Sequence, residues 1–155
     1  MSTRKEEILE KAIELFNEKG CINTSTRHIA DALGISVGNL YYYFKNKEEI
    51  IICIYQIFMD EVTKHITSVK EGKDVAFDYY NFLLDQMQYE LKYRFLRIEM
   101  NNLISKYQNV KVALEKGMAI KLEQMKKMLL HQIKYNYLKK LEEKELDFFI
   151  SNIWI

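Results

Sequence analysis

Hydroxyl, amide and aromatic side chains are concentrated in residues 24–44, a stretch that reads TSTRHIADALGISVGNLYYYF. Hydroxyl and guanidinium groups donate hydrogen bonds to phosphate oxygens, and an amide such as that of Asn39 can bond a base edge. Tyrosine rings can contact thymine methyl groups while their hydroxyls reach phosphates. These residue types therefore predict contacts with DNA, provided that the chain displays them on one surface.

Local signals divide this part of the chain into short helices. Thr3 and Glu6 form a capping-box pattern at the start of the first helix. Thr24 is a suitable N-cap for the second helix, and Ser36 for the third. The predicted helices cover about residues 4–19, 25–33 and 37–43.

The second and third helices can each be anchored to a core by one face. Ile29, Ala30 and Leu33 are the inward positions of the second helix. Leu40 and Phe44, four residues apart, anchor the third. Two short helices joined by a tight turn, with polar and aromatic residues on the free face of the second, are typical of a helix-turn-helix.

This arrangement predicts two kinds of DNA contact. The residues that begin the second helix offer backbone amides to a phosphate, and Gly38 allows close backbone approach. Tyr41 could instead pack as a ring on the first helix, and Lys47 could be a solvated lysine. The predicted DNA-binding residues are Thr24, Ser25, Thr26, Arg27, Ser36, Val37, Gly38, Asn39, Tyr41, Tyr42, Tyr43 and Lys47.

The rest of the chain also predicts helices, because it contains no proline and shows no strand-like alternation. Asn46 and Glu49 repeat the cap pattern before a long helix that reaches about Lys70. We expect an all-α fold, with a DNA-binding domain at 1–47 and a helical effector-binding and dimerisation domain at 48–155. Further helices are predicted at about 75–91, 93–105 and 110–135, with a last one from about residue 142.

Composition excludes several other classes of protein. The net charge of the 155 residues is only +1, so overall charge gives no argument for DNA binding. Cys21 and Cys53 form no metal-binding pattern, and Glu61 and His65 lack a second ligand pair. We expect no metal, no cofactor and no enzymatic activity. Without a signal peptide or about 18 consecutive apolar residues, the chain is predicted to be soluble and cytoplasmic.

The run TSTRHIADALGISVGNLYYYFKNKEEI resembles the DNA-binding signature of the tetracycline-repressor (TetR/AcrR) family. The resemblance covers roughly residues 4–60. Many family members place Lys, Arg or Gln where this chain has Val37, so base recognition here depends more on Asn39, Arg27 and the tyrosines. The matching positions are Thr26, Ile29, Ala30, Gly34, Ser36, Gly38, Leu40, Tyr41, Tyr43, Phe44, Lys47 and Glu48.

The resemblance implies a transcriptional regulator, most often a repressor released by a small-molecule effector. Such a regulator is a homodimer on a near-palindromic operator in double-stranded DNA. The bundle is predicted to enclose a small apolar or aromatic effector, although Met and aromatic residues at helical spacing are more often core. The pocket candidates are Tyr55, Phe58, Met59, Phe82, Met87 and Met100.

Two further expectations concern the second half of the chain. Family members end with two helices that pair across the dimer, and we expect the last helix or helices to be missing here. The charges of Arg94, Arg97 and Glu99 are predicted to form a solvated helix face. The alternative function is a helical ligand-carrier or interaction module without DNA binding.

Overall fold

The regular structure of the protein, in a computed structural model, consists of α-helices throughout the part that the structure describes. That part comprises residues 3–68, 75–142, 144–146 and 148. The predicted all-α class is confirmed. The helices are α1 (Arg4–Lys19), α2 (Thr26–Leu33), α3 (Val37–Tyr43), α4 (Lys47–Ser68), α5 (Val75–Lys92), α6 (Arg94–Ile98), α7 (Met100–Lys106) and α8 (Gln108–Lys134).

The capping box predicted for α1 is confirmed. The backbone N–H of Thr3 donates to Glu6 Oε2 over 2.7 Å, and the N–H of Glu6 donates to Thr3 Oγ1 over 3.3 Å. Each side chain therefore satisfies an amide that has no acceptor within the helix. At the other end Gly20 takes a positive φ of 83°, a backbone conformation that side chains other than glycine rarely adopt.

The cap predicted for α2 is wrong by one residue. Ser25, not Thr24, is the N-cap, and its hydroxyl accepts from the backbone N–H of His28. The Thr24 hydroxyl donates instead to the carbonyl oxygen of Gly20 over 2.8 Å. Thr24 thus closes the loop after α1, while Ser25 caps the helix that begins at Thr26.

The helix predicted over residues 93–105 is divided in two. Glu99 has φ −106° and ψ 11°, which ends α6 and precedes α7. The last predicted helix is helical at residues 144–146 and 148, and its remaining residues lie outside the described part. The predicted end of the fourth helix at Lys70 also lies outside that part.

One continuous hydrophobic core joins the N-terminal helices to the bundle. It includes Phe16 of α1, Leu40 of α3, Ile54 of α4 and Phe95 of α6. Burial of Leu40 and of Phe44 confirms that they anchor α3. Because α4 begins at Lys47 and its Ile50 and Ile54 pack in the same core as Phe16 and Leu40, this helix joins the N-terminal helices to the bundle.

Helices α4 and α8 run side by side in the same direction. Glu48 accepts a hydrogen bond from the backbone of Asn109, and Val62, farther along α4, packs on Met125 of α8. The contacts therefore advance together along both helices. This pair forms the centre of the bundle, and α5 packs on α4, with an ion pair between Lys92 and Glu61.

Candidate DNA-binding surface

Ser25 and His28 cap the start of α2 reciprocally. Ser25 Oγ accepts from the N–H of His28, and His28 Nδ1 accepts from the N–H of Ser25, both over 3.2 Å. The first amides of the helix, at Thr26 and Arg27, are those for which an α-helix has no internal acceptor. They lie at the positive end of the helix dipole, where a phosphate is favoured. The Arg27 side chain is exposed beside them.

A surface groove of about 280 Å³ connects the start of α2 with α3 and the start of α4. The Thr26 and Tyr41 hydroxyl oxygens lie 3.3 Å apart and share a hydrogen bond across it. The sequence did not predict Asn23 or Asn46 as part of this surface, because Asn46 matches a helix-cap pattern and Asn23 matches no pattern. The groove is lined by Ile22, Asn23, Thr24, Ser25, Thr26, Tyr41, Asn46 and Lys47.

The free face of α3 displays polar and aromatic groups. Asn39 is exposed, and 83% of the Tyr42 surface is accessible. The Tyr42 and Tyr43 rings meet edge to face with centroids 5.1 Å apart. A Cβ atom added at Gly38 would meet nothing nearer than Ser36 Oγ at 3.9 Å. The fold itself therefore does not require glycine here, whereas close approach of a DNA backbone would.

Three predicted contact residues use their side chains within the protein. Thr24 is only 1% exposed, with its hydroxyl bonded to Gly20. Ser36 Oγ accepts from the backbone N–H of Asn39 over 3.1 Å and so caps α3. Val37 is half-buried and packs on the core. The Thr24 hydroxyl cannot reach DNA, so that side chain is removed from the predicted interface.

Lys47 has a role that neither interpretation of the sequence anticipated. Its Nζ donates to the carbonyl oxygens of Cys21 and Thr24, over 2.7 and 2.8 Å, and lies 3.3 Å from that of Ile22. Burial lowers the pKa of Lys47, and the nearby ammonium of Lys106 lowers it further. The ammonium therefore supports the loop between α1 and α2 from within, rather than projecting as a free cation.

Glu99 holds the other side of the same loop. Its carboxylate accepts from the backbone N–H groups of Cys21 and Ile22, the latter over 2.9 Å. The expectation that Glu99 belongs to a solvated face is thus wrong, because its carboxylate binds backbone N–H groups of the loop. These groups lie 77 and 78 residues away in the sequence. Glu99 stands at the break between α6 and α7, so the bundle directly contacts the DNA-binding part.

A second polar link lies beside Glu99. The Asn17 side chain donates to the carbonyl oxygen of Lys92 over 2.8 Å and accepts from the N–H of Phe95 over 3.1 Å. Arg94 in turn donates to the backbone oxygen of Asn17 over 3.0 Å. The end of α1 is therefore fixed to the junction of α5 and α6.

Tyr55, a predicted pocket residue, is a packing element between helices. Its hydroxyl donates to the carbonyl oxygen of Leu114 over 3.2 Å, and burial raises its pKa to about 12. A Cβ atom at Gly117 would lie 2.3 Å from that hydroxyl oxygen. Gly117 therefore allows α4 and α8 to approach each other at this level.

The other pocket candidates divide between interior and surface. Met59 is buried in the core, and Phe58 and Met100 are half-buried against it. Met87 is 64% exposed and therefore cannot line an interior pocket. The prediction that Met87 is a pocket residue is wrong. The Phe82 side chain lies outside the described residues, as does that of His65.

Comparison with known proteins identifies the N-terminal part. The profile of the bacterial regulatory proteins of the tetR family matches residues 8–53, which contain α2, α3 and the start of α4. The KstR2 repressor of Rhodococcus jostii is 43% identical over 74 residues, 47% of this chain and 36% of that protein. A Staphylococcus aureus HTH-type transcriptional regulator is 36% identical over 90 residues, 58% of this chain and 47% of the relative. Residues 8–53 therefore match the DNA-binding part of the tetR family of regulators.

The resemblance extends to the bundle in three dimensions. The crystal structure of a TetR-family transcriptional regulator from Marinobacter aquaeolei superposes with a TM-score of 0.88 at 25% identity. The superposition covers 99% of this chain and 75% of that structure. The sequence matches to the curated relatives above span less than half of their length. Within the described residues, no helix has the length and apolar character that a membrane crossing requires.

Proposed function

We propose that this chain is a DNA-binding transcriptional regulator of the TetR family that acts in the cytoplasm as a repressor. The observation that carries the proposal is the joint display of the α2 N-terminus and the free face of α3 around one groove. Amides and hydroxyls at the start of α2 would contact phosphates, and Asn39 and Tyr42 would contact base edges. This division places affinity mainly in α2 and sequence choice in α3.

The net charge of the chain does not oppose this function. DNA affinity depends on cations placed against phosphates, and Arg27 is exposed beside the start of α2. Lys45 is exposed between α3 and α4. A few placed donors in each of two protomers would supply the electrostatic contribution that the whole-molecule charge lacks.

We further propose a homodimer on a near-palindromic operator. A recognition helix of seven residues reaches only a few base pairs, because its length is about 10 Å. Two such helices spaced by about 34–36 Å would contact successive major grooves on one face of the DNA. Doubling the contacts in this way would give the affinity that one short helix cannot.

An effector in the bundle would release the DNA by favouring a different spacing of the two recognition helices. Two structural connections could carry that change. One is α4, which begins at Lys47 and continues into the bundle core. The other is the contact of Glu99 with the loop before α2. Both connections converge on residues 21–24, directly before the proposed phosphate site.

The experiment is a fluorescence-anisotropy titration of the chain with DNA from upstream of its own gene. Wild-type protein is expected to bind this DNA more tightly than a shuffled duplex, with an affinity that falls as salt rises. Tyr42→Ala is expected to weaken operator binding by about tenfold, or about 1.4 kcal/mol. Its melting temperature should stay unchanged, because the side chain is almost fully exposed.

Glu115→Gln on the outer face of α8 is the matched control and should leave both quantities unchanged. If the fluorescence anisotropy of the DNA does not change on addition of protein at low salt, this result would contradict DNA binding. It would favour the ligand-carrier alternative. Equal affinity for operator and shuffled DNA would contradict sequence-specific regulation. Sedimentation as a monomer while bound to a palindromic site would contradict the dimer.

A further inference from the structure

One face of α5 displays a row of large apolar side chains to solvent. The row consists of Tyr80, Leu84, Met87 and Leu91, whose exposed fractions lie between 39% and 67%. We call these four residues the α5 stripe. Single exposed apolar residues are common in proteins, but a contiguous row of this size marks an interaction surface.

The opposite face of α5 already packs in the interior of the chain. Gln86 is buried, and Tyr89 packs against the hydrophobic core. Each of these residues follows a member of the α5 stripe by two positions, which is about 200° around the helix. A helix that is apolar on both faces is normally covered on both. The α5 stripe is therefore a second packing face rather than the outer side of a surface helix.

The α5 stripe has the spacing of a coiled-coil seam. Its members are separated by four, three and four residues, which is the alternation of a and d positions in a heptad repeat. Such a seam is complementary to an identical seam on a second copy of the chain. Beside it, Asn81 and Gln88 are uncharged, and Glu90 lies 3.7 Å from the Arg97 guanidinium. The described side chains that flank the seam therefore bring no unpaired like charges together.

The direction of α5 decides between the two ways of pairing these seams. The Asn17 side chain of α1 donates to the carbonyl oxygen of Lys92, so α5 ends against the DNA-binding part. A parallel pair, with its two-fold axis along α5, places both DNA-binding parts at the same end of the dimer. An antiparallel pair places them at opposite ends, where they could not contact one operator side by side.

The area of the α5 stripe suits a reversible dimer. For side chains of roughly 200 Å² each, the exposed fractions correspond to about 450 Å² of apolar surface per protomer. Two copies would bury about 900 Å², to which the polar flanks add, and specific interfaces begin at about 1,000–1,200 Å². The expected affinity is therefore micromolar.

We propose that the α5 stripe is the surface through which two copies of this chain pair in parallel. Each member of the stripe faces the same residue of the second copy across the two-fold axis. The inference rests on the proposed function, because it assigns a surface to the proposed homodimer. Since α5 ends at its contact with α1, this pairing also sets the separation of the two DNA-binding parts.

The first test is disulfide crosslinking in the absence of DNA. Leu84→Cys is made in a chain that also carries Cys53→Ser, because Cys53 is half-buried whereas Cys21 is buried. Most of this protein is expected to form a covalent dimer on oxidation, since facing seam positions lie within reach of a disulfide. Glu115→Cys in the same background, on an exposed position of α8, is the matched control and should stay monomeric.

Sedimentation equilibrium of the chain without added cysteines is the second test. At least half of the wild-type protein is expected to be dimeric at about 100 µM. Met87→Glu should be monomeric at this concentration, because each new carboxylate would face its own copy in the seam. Lys116→Glu, at an exposed position of α8, is the control and should associate like the wild type.

A wild-type monomer at that concentration would overturn the proposal, as would equal crosslinking of Glu115→Cys and Leu84→Cys. Mixed Leu84→Cys and Met87→Cys chains that crosslink better than either alone would indicate antiparallel pairing and would also overturn it. A monomer in which Met87→Glu shifts the fluorescence of Trp154, the single tryptophan of the chain, would show that residues 149–155 cover the stripe instead.

Operator binding is measured separately on the wild-type chain and on the crosslinked Leu84→Cys dimer. A crosslinked dimer without affinity for the operator would contradict the proposed function and leave the interface in place. An operator-binding chain that fails both association tests would overturn the interface and leave the proposed function in place.

Discussion

The ammonium of Lys47 and the carbonyl oxygen of Thr24 lie 2.8 Å apart, although 23 residues separate them along the chain. The same ammonium also reaches the carbonyls of Cys21 and Ile22. A lysine that satisfies backbone oxygens in this way is a structural support. It sets the position of the loop that precedes the proposed phosphate site, rather than adding one more phosphate contact.

Lys47→Met is therefore expected to reduce stability as well as DNA affinity. The substitution leaves carbonyl oxygens of the loop without their donor, at a cost of about 1–3 kcal/mol. Chemical denaturation measures this loss, and Lys45→Met, at an exposed neighbour, should change stability by less than about 0.5 kcal/mol. Full stability combined with a salt slope reduced by about one phosphate contact would restore the phosphate role.

Glu99→Gln is expected to loosen the same loop from the side of the bundle. The neutral amide keeps the size of the carboxylate but accepts more weakly from the N–H groups of Cys21 and Ile22. We expect a loss of about 1–2 kcal/mol of unfolding free energy. Hydrogen exchange should become faster at those two amides, while Glu115→Gln leaves them protected. Unchanged protection would show that Glu99 does not hold the loop.

Alanine substitution is expected to have opposite effects on stability at Gly38 and at Gly117. Gly38→Ala should raise stability by about 0.5–1 kcal/mol, because the site is open and alanine favours a helix. It should nevertheless weaken operator binding if DNA approaches α3 closely. Gly117→Ala should lower stability by about 1–3 kcal/mol through the clash with Tyr55. Thermal melting and anisotropy together check the pair; a destabilised Gly38→Ala protein would contradict this account of α3.

The stability of the protein is expected to depend on pH through Lys121. Burial lowers its pKa from 10.5 to about 8 in the folded state, so between these values the unfolded chain binds more protons. Stability relative to Lys121→Met should therefore rise as pH increases from about 8 to about 10.5, by roughly 1–3 kcal/mol. Urea denaturation of both proteins across this range measures the difference. A difference that stays constant or falls would contradict a desolvated lysine.

The short helices of the N-terminal part were predictable because their determinants are local. Thr3 and Glu6 are three residues apart, and Leu40 and Phe44 are four apart, so the members of each pair lie about one helical turn from each other. Caps and inward faces of this kind depend on spacing alone. The sequence by itself therefore determined the bounds of α1 and α3 and the helix-turn-helix arrangement.

Only the tertiary structure decided which polar residues are available for binding. Lys47 and Glu99 find their partners across 23 to 78 residues, and no local pattern encodes such a meeting. The exposure of Met87 and the burial of Lys121 depend in the same way on which faces of α5 and α8 meet. Packing of distant helices decides which polar groups meet and which surfaces are buried. The contacts of a polar side chain therefore depend on the complete fold.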